Sequence, residues 1–195
     1  MKKLKSTWYN MAGILTLISV VAGASLASVN EMTKGPIELI KQQTLESGIR
    51  AVLNSNDLQV QAIDSLQEGS VIIYRTDKGN AVQATDANAF GGNLTVLVGF
   101  AGDGTIQGYQ VLETSETPGL GAKASFWFKE GKGSILGKNP SKNNLAVSKD
   151  GGEVDAITAS TITSRAFLRC VNAAYEALSM SADAESGATK QANSN

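Results

Sequence analysis

The sequence contains no histidine. That removes Ser-His-Asp and Cys-His nucleophile chemistry, His-ligated zinc, and haem held by an axial histidine. The single cysteine, Cys170, excludes an intrachain disulfide and any CxxC redox or zinc pair. A basic excess is missing too. The 17 Lys and Arg stand against 18 Asp and Glu, a net charge of −1, which leaves no electrostatic footprint for nucleic acid. Apolar residues make up 42% and charged ones 18%, which fits neither a disordered chain nor a many-span membrane protein. No segment repeats with a period of about 20–50 residues. With no metal-ligand set and no independent catalytic constellation, any redox chemistry must come from a bound cofactor.

What the chain does have begins at its N-terminus. Lys2, Lys3 and Lys5 precede Trp8 and Tyr9, and an uncharged run follows from Met11 to Val29. As a helix rising about 1.5 Å per residue, that run spans roughly the 30 Å of a hydrocarbon core. The aromatic pair sits where an interfacial belt would lie, and lysines held on the cytoplasmic side would send Asn30 onward across the membrane. A cleaved signal is the alternative, with Ala22-Gly23-Ala24 as a small-residue cleavage site. The run is long against a usual h-region of about 7–15 residues, which favours a retained anchor. In either case the domain lies outside the cytoplasm, where a near absence of cysteine avoids stray disulfides. The translocated part is mildly acidic, because three of the 17 basic residues stay behind and all 18 acidic ones cross.

Once the anchor and a polar C-terminal tail are set aside, about 150 residues remain, enough for one domain with a core. Glu38 to Leu53 has the apolar spacing of an amphipathic helix, and Pro36 suits its start. The sequence leaves open whether it extends the membrane helix as a stalk or packs on the domain. Val71 to Tyr74 reads as a short strand. Leu94 to Phe100 and Thr105 to Leu112 read as a hairpin closed by Ala101-Gly102-Asp103-Gly104. Glu113 to Asn144 reads as surface loop with a short helix and the aromatic cluster Phe126-Trp127-Phe128. Val154 to Thr158 reads as a short strand before the last helix. There Phe167, Cys170, Val171, Ala174, Tyr175 and Leu178 form one apolar face, with Thr163 or Ser164 as the cap. Cys170 on that face reads as a small core residue and not a reactive thiol. From Ser181 onward the composition predicts disorder.

Two segments carry chemical content. Glu116-Thr117-Pro118-Gly119-Leu120-Gly121-Ala122-Lys123 has a specified path, since proline fixes one φ and the glycines open the left-handed region. It offers backbone N–H groups, a carboxylate and an ammonium, a set able to wrap a planar ligand or simply to build a turn. Asp155-Ala156-Ile157-Thr158-Ala159-Ser160-Thr161-Ile162-Thr163-Ser164 places five hydroxyl side chains before a helix. It reads equally as an extended N-cap or as a phosphate site at the positive end of the helix dipole.

Following a single N-terminal span, these two segments resemble the G subunit of the Rnf ion-translocating electron-transport complex. That protein is homologous to the C subunit of the sodium-pumping NADH:quinone reductase. The resemblance covers the anchor, the next helix, the Phe90-Gly91-Gly92 strand pair, Glu116 to Lys123, and Thr158 to the last helix. In that family FMN is bonded through its phosphate to a threonine in a motif written D-x-x-S/T-G-A-T/S. A separate flavin transferase attaches it, using FAD as donor and a divalent metal. The resemblance therefore implies Asp155 as the motif aspartate, Thr158 as its S/T and Thr161 as the attachment residue, with Ser160 and Thr163 beside it. Ala159 and Ser160 depart from the motif, and Thr114 stands where the family often has histidine. Glu116, Thr117, Gly119, Leu120 and Lys123 match and are expected near the flavin. Asp183 to Thr189 also spells the motif, but that tail lacks apolar residues and a following helix, so Thr161 is preferred over Thr189.

The implied protein is α+β: residues 1–30 carry a cytoplasmic N-terminus and one transmembrane helix. Residues 31–180 form one extracytoplasmic FMN-binding domain with an antiparallel sheet and flanking helices, and 181–195 form the tail. Its implied function is electron relay through covalent FMN within an ion-translocating complex in the cytoplasmic membrane. Its partners are then the other membrane subunits and the transferase. Two alternatives stay open on the sequence, a stand-alone FMN-binding electron-transfer module and a non-redox anchored scaffold.

Overall fold

The uncharged N-terminal run does not end in a helix of its own. A computed structural model describes residues 7–55, 57–66 and 70–192, as backbone alone beyond 182; Lys2, Lys3 and Lys5 lie outside the described residues. In it α1 runs unbroken from Trp8 to Val52. Pro36 lies inside this helix and does not start a second one. Proline removes one backbone hydrogen bond, and the helix runs on through Gly35-Pro36 all the same. The chain divides into two units, Met1–Thr44 and Leu45–Asn195. In the first, α1 is long and apolar enough to cross a membrane. Three of its hydroxyls bond within the helix: Thr16, Ser25 and Ser28 each donate to the carbonyl four residues back at 2.8–2.9 Å, so these three would bring no unpaired donor into lipid.

The second unit is an antiparallel meander of five strands in the order β1-β2-β3-β4-β5. These are β1 (Val60–Leu66), β2 (Val71–Thr76), β3 (Gly79–Ala89), β4 (Gly92–Phe100) and β5 (Ile106–Thr114). The β4–β5 hairpin and β2 fall where the sequence predicts them. The strands β1 and β3 go beyond what the sequence predicts. Polar residues such as Gln83, Thr85 and Asp86 break up the apolar pattern of β3, although Ala81, Val82 and Ala84 are buried. Alternation along the strands gives the sheet two covered faces. Ile73, Val82, Val96 and Val98 join the main core with Phe128 and Phe167, whereas Tyr74, Ala81 and Leu97 meet Ile49, Val52 and Leu53 from the end of α1.

After β5 the chain makes irregular turns around α2 (Ala124–Trp127) and ends in α3 (Thr161–Ala192). Val154 forms only an isolated bridge to Val147, not the predicted strand, since the residues after it leave the ladder to make the turn into α3. The helix α3 continues to Ala192, through most of the stretch whose composition predicts disorder. Ala, Glu, Lys and Gln are good helix formers, and here they extend a helix already nucleated by its packed half.

Tyr109 organises the connection between sheet and helix. Its hydroxyl donates to Ala124 O at 2.8 Å and accepts the Phe128 N–H at 3.1 Å; burial raises its pKa above the usual tyrosine value. Phe128 stacks on Phe167 with centroids 4.2 Å apart, and Tyr109 meets the same ring edge-on at 4.8 Å. The predicted apolar face of α3 is buried, with Phe167, Cys170, Val171 and Ala174 all at 2% exposure or less. Burial, with the Asp86 charge adding to it, pushes the Cys170 thiol up to about 12, in keeping with a core residue and not a nucleophile.

Candidate functional site

Three segments far apart in sequence meet at the N-terminus of α3: the tip between β3 and β4, the loop after β5, and the turn leading into the helix. They line a cavity of about 350 Å³ formed by Phe90, Glu116, Thr117, Leu120, Gly121 and residues 159–163.

The turn into α3 is closely fixed. Ser160 N donates to Ile157 O at 3.0 Å, which places Thr158 and Ala159 at the corner. Ala159 has φ +60°, in the region that suits glycine at the third position of such a turn. Ser164 is fully buried and locks the turn to the helix. Its Oγ accepts the Ile157 N–H and donates to Ser160 O, both at 2.9 Å. The helix starts at Thr161, so Ser160 occupies the capping position expected for Thr163 or Ser164. Thr161 is half-buried, and Thr163 is buried at 1% exposure. The backbone N–H groups of residues 161–163 belong to the first helical turn, which has no intrahelical acceptor.

The loop after β5 opens with a turn that its sequence specifies. Leu120 N donates to Thr117 O at 3.1 Å across Pro118 and Gly119, and Gly119 has φ +76°. Gly121 works differently from the expectation. Its φ is not positive, and its role is close approach, because a Cβ there would lie 2.3 Å from Glu116 Oε2. Glu116 is buried, and its Oε1 accepts the Gly91 N–H at 3.2 Å.

The β3–β4 tip is tethered to the helix. Arg169 on α3 pairs with Asp86 on β3 through Nε and donates from Nη2 to Asn88 O at 3.3 Å. Burial raises the Asp86 pKa, but the Arg169 guanidinium and the Asn88 N–H outweigh it and hold the carboxyl below its ordinary value.

Six of the ten residues singled out from the sequence line this cavity: Glu116, Thr117, Leu120, Ser160, Thr161 and Thr163. Asp155, Thr158, Gly119 and Lys123 are not among the lining residues. Asp155 instead gives its backbone carbonyl to Trp127 Nε1 at 2.9 Å. Sequence reasoning missed Phe90, Gly121, Ala159 and Ile162 as lining residues. For Phe90 the signal was available, an aromatic residue directly before Gly91-Gly92, and it is 69% exposed at the cavity mouth. The side chain of Thr189 lies outside the described residues. Its backbone is in α3, about 42 Å along the axis from Thr161 at 1.5 Å per residue.

A family model described as an FMN-binding domain matches residues 90–176, a span that contains every residue lining the cavity. The G subunit of the ion-translocating oxidoreductase complex of Cereibacter sphaeroides is 32% identical to this chain, over 82% of the chain and 78% of that protein. The protein of the same description from Aliivibrio fischeri is 31% identical, over 83% and 85%. The G subunit of the Na(+)-translocating ferredoxin:NAD(+) oxidoreductase complex of Acetobacterium woodii is 30% identical, over 88% and 93%.

The cavity fits FMN on its own features. Phe90, Leu120 and Ile162 give apolar walls for a planar ring, the hydroxyl-bearing residues 160, 161 and 163 are part of the lining, and the start of α3 suits a phosphate. Its volume falls within the roughly 300–1,000 Å³ usual for small-molecule sites.

Proposed function

Because this chain belongs to the family of G subunits of ion-translocating oxidoreductase complexes, we propose that it carries electrons in such a complex through FMN bonded by its phosphate to Thr161. Its FMN-binding domain and its place among the subunits of an oxidoreductase complex follow from the family. The covalent bond, its site and the side of the membrane are the proposal. The observation that carries it is Thr161 itself, the first residue of α3, half-buried and lining the cavity of the FMN-binding domain.

When bound, FMN supplies the electron-accepting and electron-donating chemistry that this chain lacks. The remaining work belongs to the chain. The Thr161 hydroxyl takes the FMN phosphoryl group from FAD in a reaction run by a flavin transferase: the new P–O bond forms at Thr161 Oγ1, the pyrophosphate bond of FAD breaks, AMP leaves, and the hydroxyl proton passes to solvent. The first-turn N–H groups of α3 then face the phosphate charge, and the Ser160 and Thr163 hydroxyls stand beside it. Phe90, Leu120 and Ile162 offer the ring apolar contact. Asp155 and Thr158 remain as the flanking residues of the attachment motif. Gly119 and Lys123 belong to the loop that frames the cavity and do not line it. A tether makes physical sense if the domain is extracytoplasmic, where a lost flavin could not be replaced. The helix α1 would then hold the domain at the cytoplasmic membrane in a single pass, next to the other subunits. Coupling to ion movement belongs to the assembly, since the run from Met11 to Val29 carries no charge for an ion path.

The test is flavin fluorescence in a denaturing gel, with the wild type, Thr161→Ala and Thr189→Ala each made together with a flavin transferase. Fluorescence is expected to vanish in Thr161→Ala alone. Loss in Thr189→Ala alone would move the tether to the end of α3, and no fluorescence in any sample would reject covalent attachment.

A further inference from the structure

One carboxylate in the cavity is more than nine-tenths buried. Glu116 is 7% exposed, and its Oε1 accepts the Gly91 N–H. Its other oxygen turns toward α3. A Cβ on Gly121 would lie 2.3 Å from Glu116 Oε2 and 2.8 Å from Thr163 Oγ1, so the two oxygens flank the same glycine. At the β3–β4 tip, a Cβ on Gly91 would lie 2.2 Å from Ser115 O and 2.9 Å from Glu116 N. Both places where a side chain would displace the glutamate are glycine. Among the described residues, none of the ion pairs involves Glu116.

Burying a carboxylate with neutral donors alone is costly. A glutamine amide oxygen could accept the Gly91 N–H equally well, so the hydrogen bond does not account for the charge. What distinguishes glutamate here is its capacity for charge, on a side chain hydrogen-bonded to the β3–β4 tip and lying against Gly121 in the cavity lining.

We propose that Glu116 supplies a fixed negative charge to the flavin cavity, besides that of the tethered phosphate, and makes the bound flavin harder to reduce. The inference rests on the FMN reading above. Electrons entering the ring system add negative charge, and a fixed anion in a partly desolvated site opposes that gain more strongly than it would in water. The electrons come from one neighbouring redox subunit and leave to another. Glu116 is neither oxidised nor reduced, and no bond forms or breaks at it.

The test is the flavin midpoint potential in the full chain, made with a flavin transferase, for the wild type, Glu116→Gln and Glu116→Asp. Glu116→Gln keeps the shape and the Gly91 contact while removing the charge. It is expected to shift the reduction equilibrium at least tenfold toward the reduced flavin, about 30 mV upward for a two-electron couple. Glu116→Asp is expected to stay nearer the wild type, a pattern that a purely structural role would not give. A flavin-loaded Glu116→Gln protein with unchanged potential would overturn the proposal. So would a folded Glu116→Gln protein that never acquires flavin, since Glu116 would then act in loading. If Glu116→Gln fails to fold, Thr117→Lys offsets the charge from an exposed lining position, and the same upward shift is expected; no shift there would overturn the proposal. A wild type without flavin would instead overturn the FMN reading, and the gel shows that before any potential is measured.

Discussion

Ala159 holds the least favourable backbone position in the site. Its φ of +60° places a Cβ where L residues lose about 1–2 kcal/mol. The related motif has glycine there. Replacing Ala159 with glycine relieves that strain but adds roughly 0.5–1 kcal/mol of chain entropy in the unfolded state. The balance favours Ala159→Gly by about 0.5–1 kcal/mol, a rise of roughly 2 °C in Tm for a chain of this size. Ala159→Val carries a branched Cβ into the same region and is expected to melt lower than the wild type. Thermal unfolding of the three proteins checks the order. A glycine variant that melts below the wild type would show that the turn is not strained. The site tolerates alanine because Ser164 clamps the turn from behind, with one hydrogen bond to Ile157 and one to Ser160. Thr161 therefore keeps its place at the helix start although the motif glycine is missing.

Among the elements, α3 and the β3–β4 hairpin are joined by the Asp86–Arg169 pair, and the cavity lies between them. The Asp86 pKa is lowered in the folded chain, so its contribution to stability is present above the unfolded value of about 3.9 and is lost as pH falls through the folded value. Asp150, bonded twice to Arg165 at 2.7 Å, is lowered by those hydrogen bonds and behaves in the same sense. Wild-type Tm is expected to drop as pH goes from about 5 to about 3. Asp86→Asn is expected to melt lower than the wild type at neutral pH and to lose less over that acid range; parallel melting curves would remove the pair from the account. Legibility in the sequence divides along the same elements. The β4–β5 hairpin is readable because its turn residues and apolar runs are local signals, and the α3 face because its spacing is regular. The strand β3 is not readable, since its polar residues mask a burial that only its neighbouring strands create. The same limit applies to the site. Thr161 and Glu116 stand out in local motifs, whereas Gly121 and Phe90 take their roles from what lies across the cavity.

At the scale of the whole chain, the last turns of α1 belong to the second unit, which begins at Leu45. Ile49, Val52 and Leu53 are each at most 4% exposed and cover one face of the sheet. The contact is close enough to dictate residues on the strands. Gly99 and Gly108 pair across β4 and β5, and a Cβ on either would lie within 3 Å of Val52 O, at 2.3 and 2.8 Å. The sheet thus depends on a segment that sequence patterning assigns only to an amphipathic helix. Burying three such side chains contributes about 1.5–3 kcal/mol each, an amount comparable with the roughly 5–15 kcal/mol net stability of a domain. A chain beginning at Gln43 is therefore expected to fold, to remain soluble without the apolar run, and to accept flavin as the full chain does. One beginning at Asn54 exposes Tyr74, Ala81 and Leu97 and is expected to aggregate or to melt many degrees lower. Comparing the two by thermal melting and in-gel fluorescence decides the matter. Equal melting would mean that the sheet is stable without α1 and that this helix serves as an anchor only.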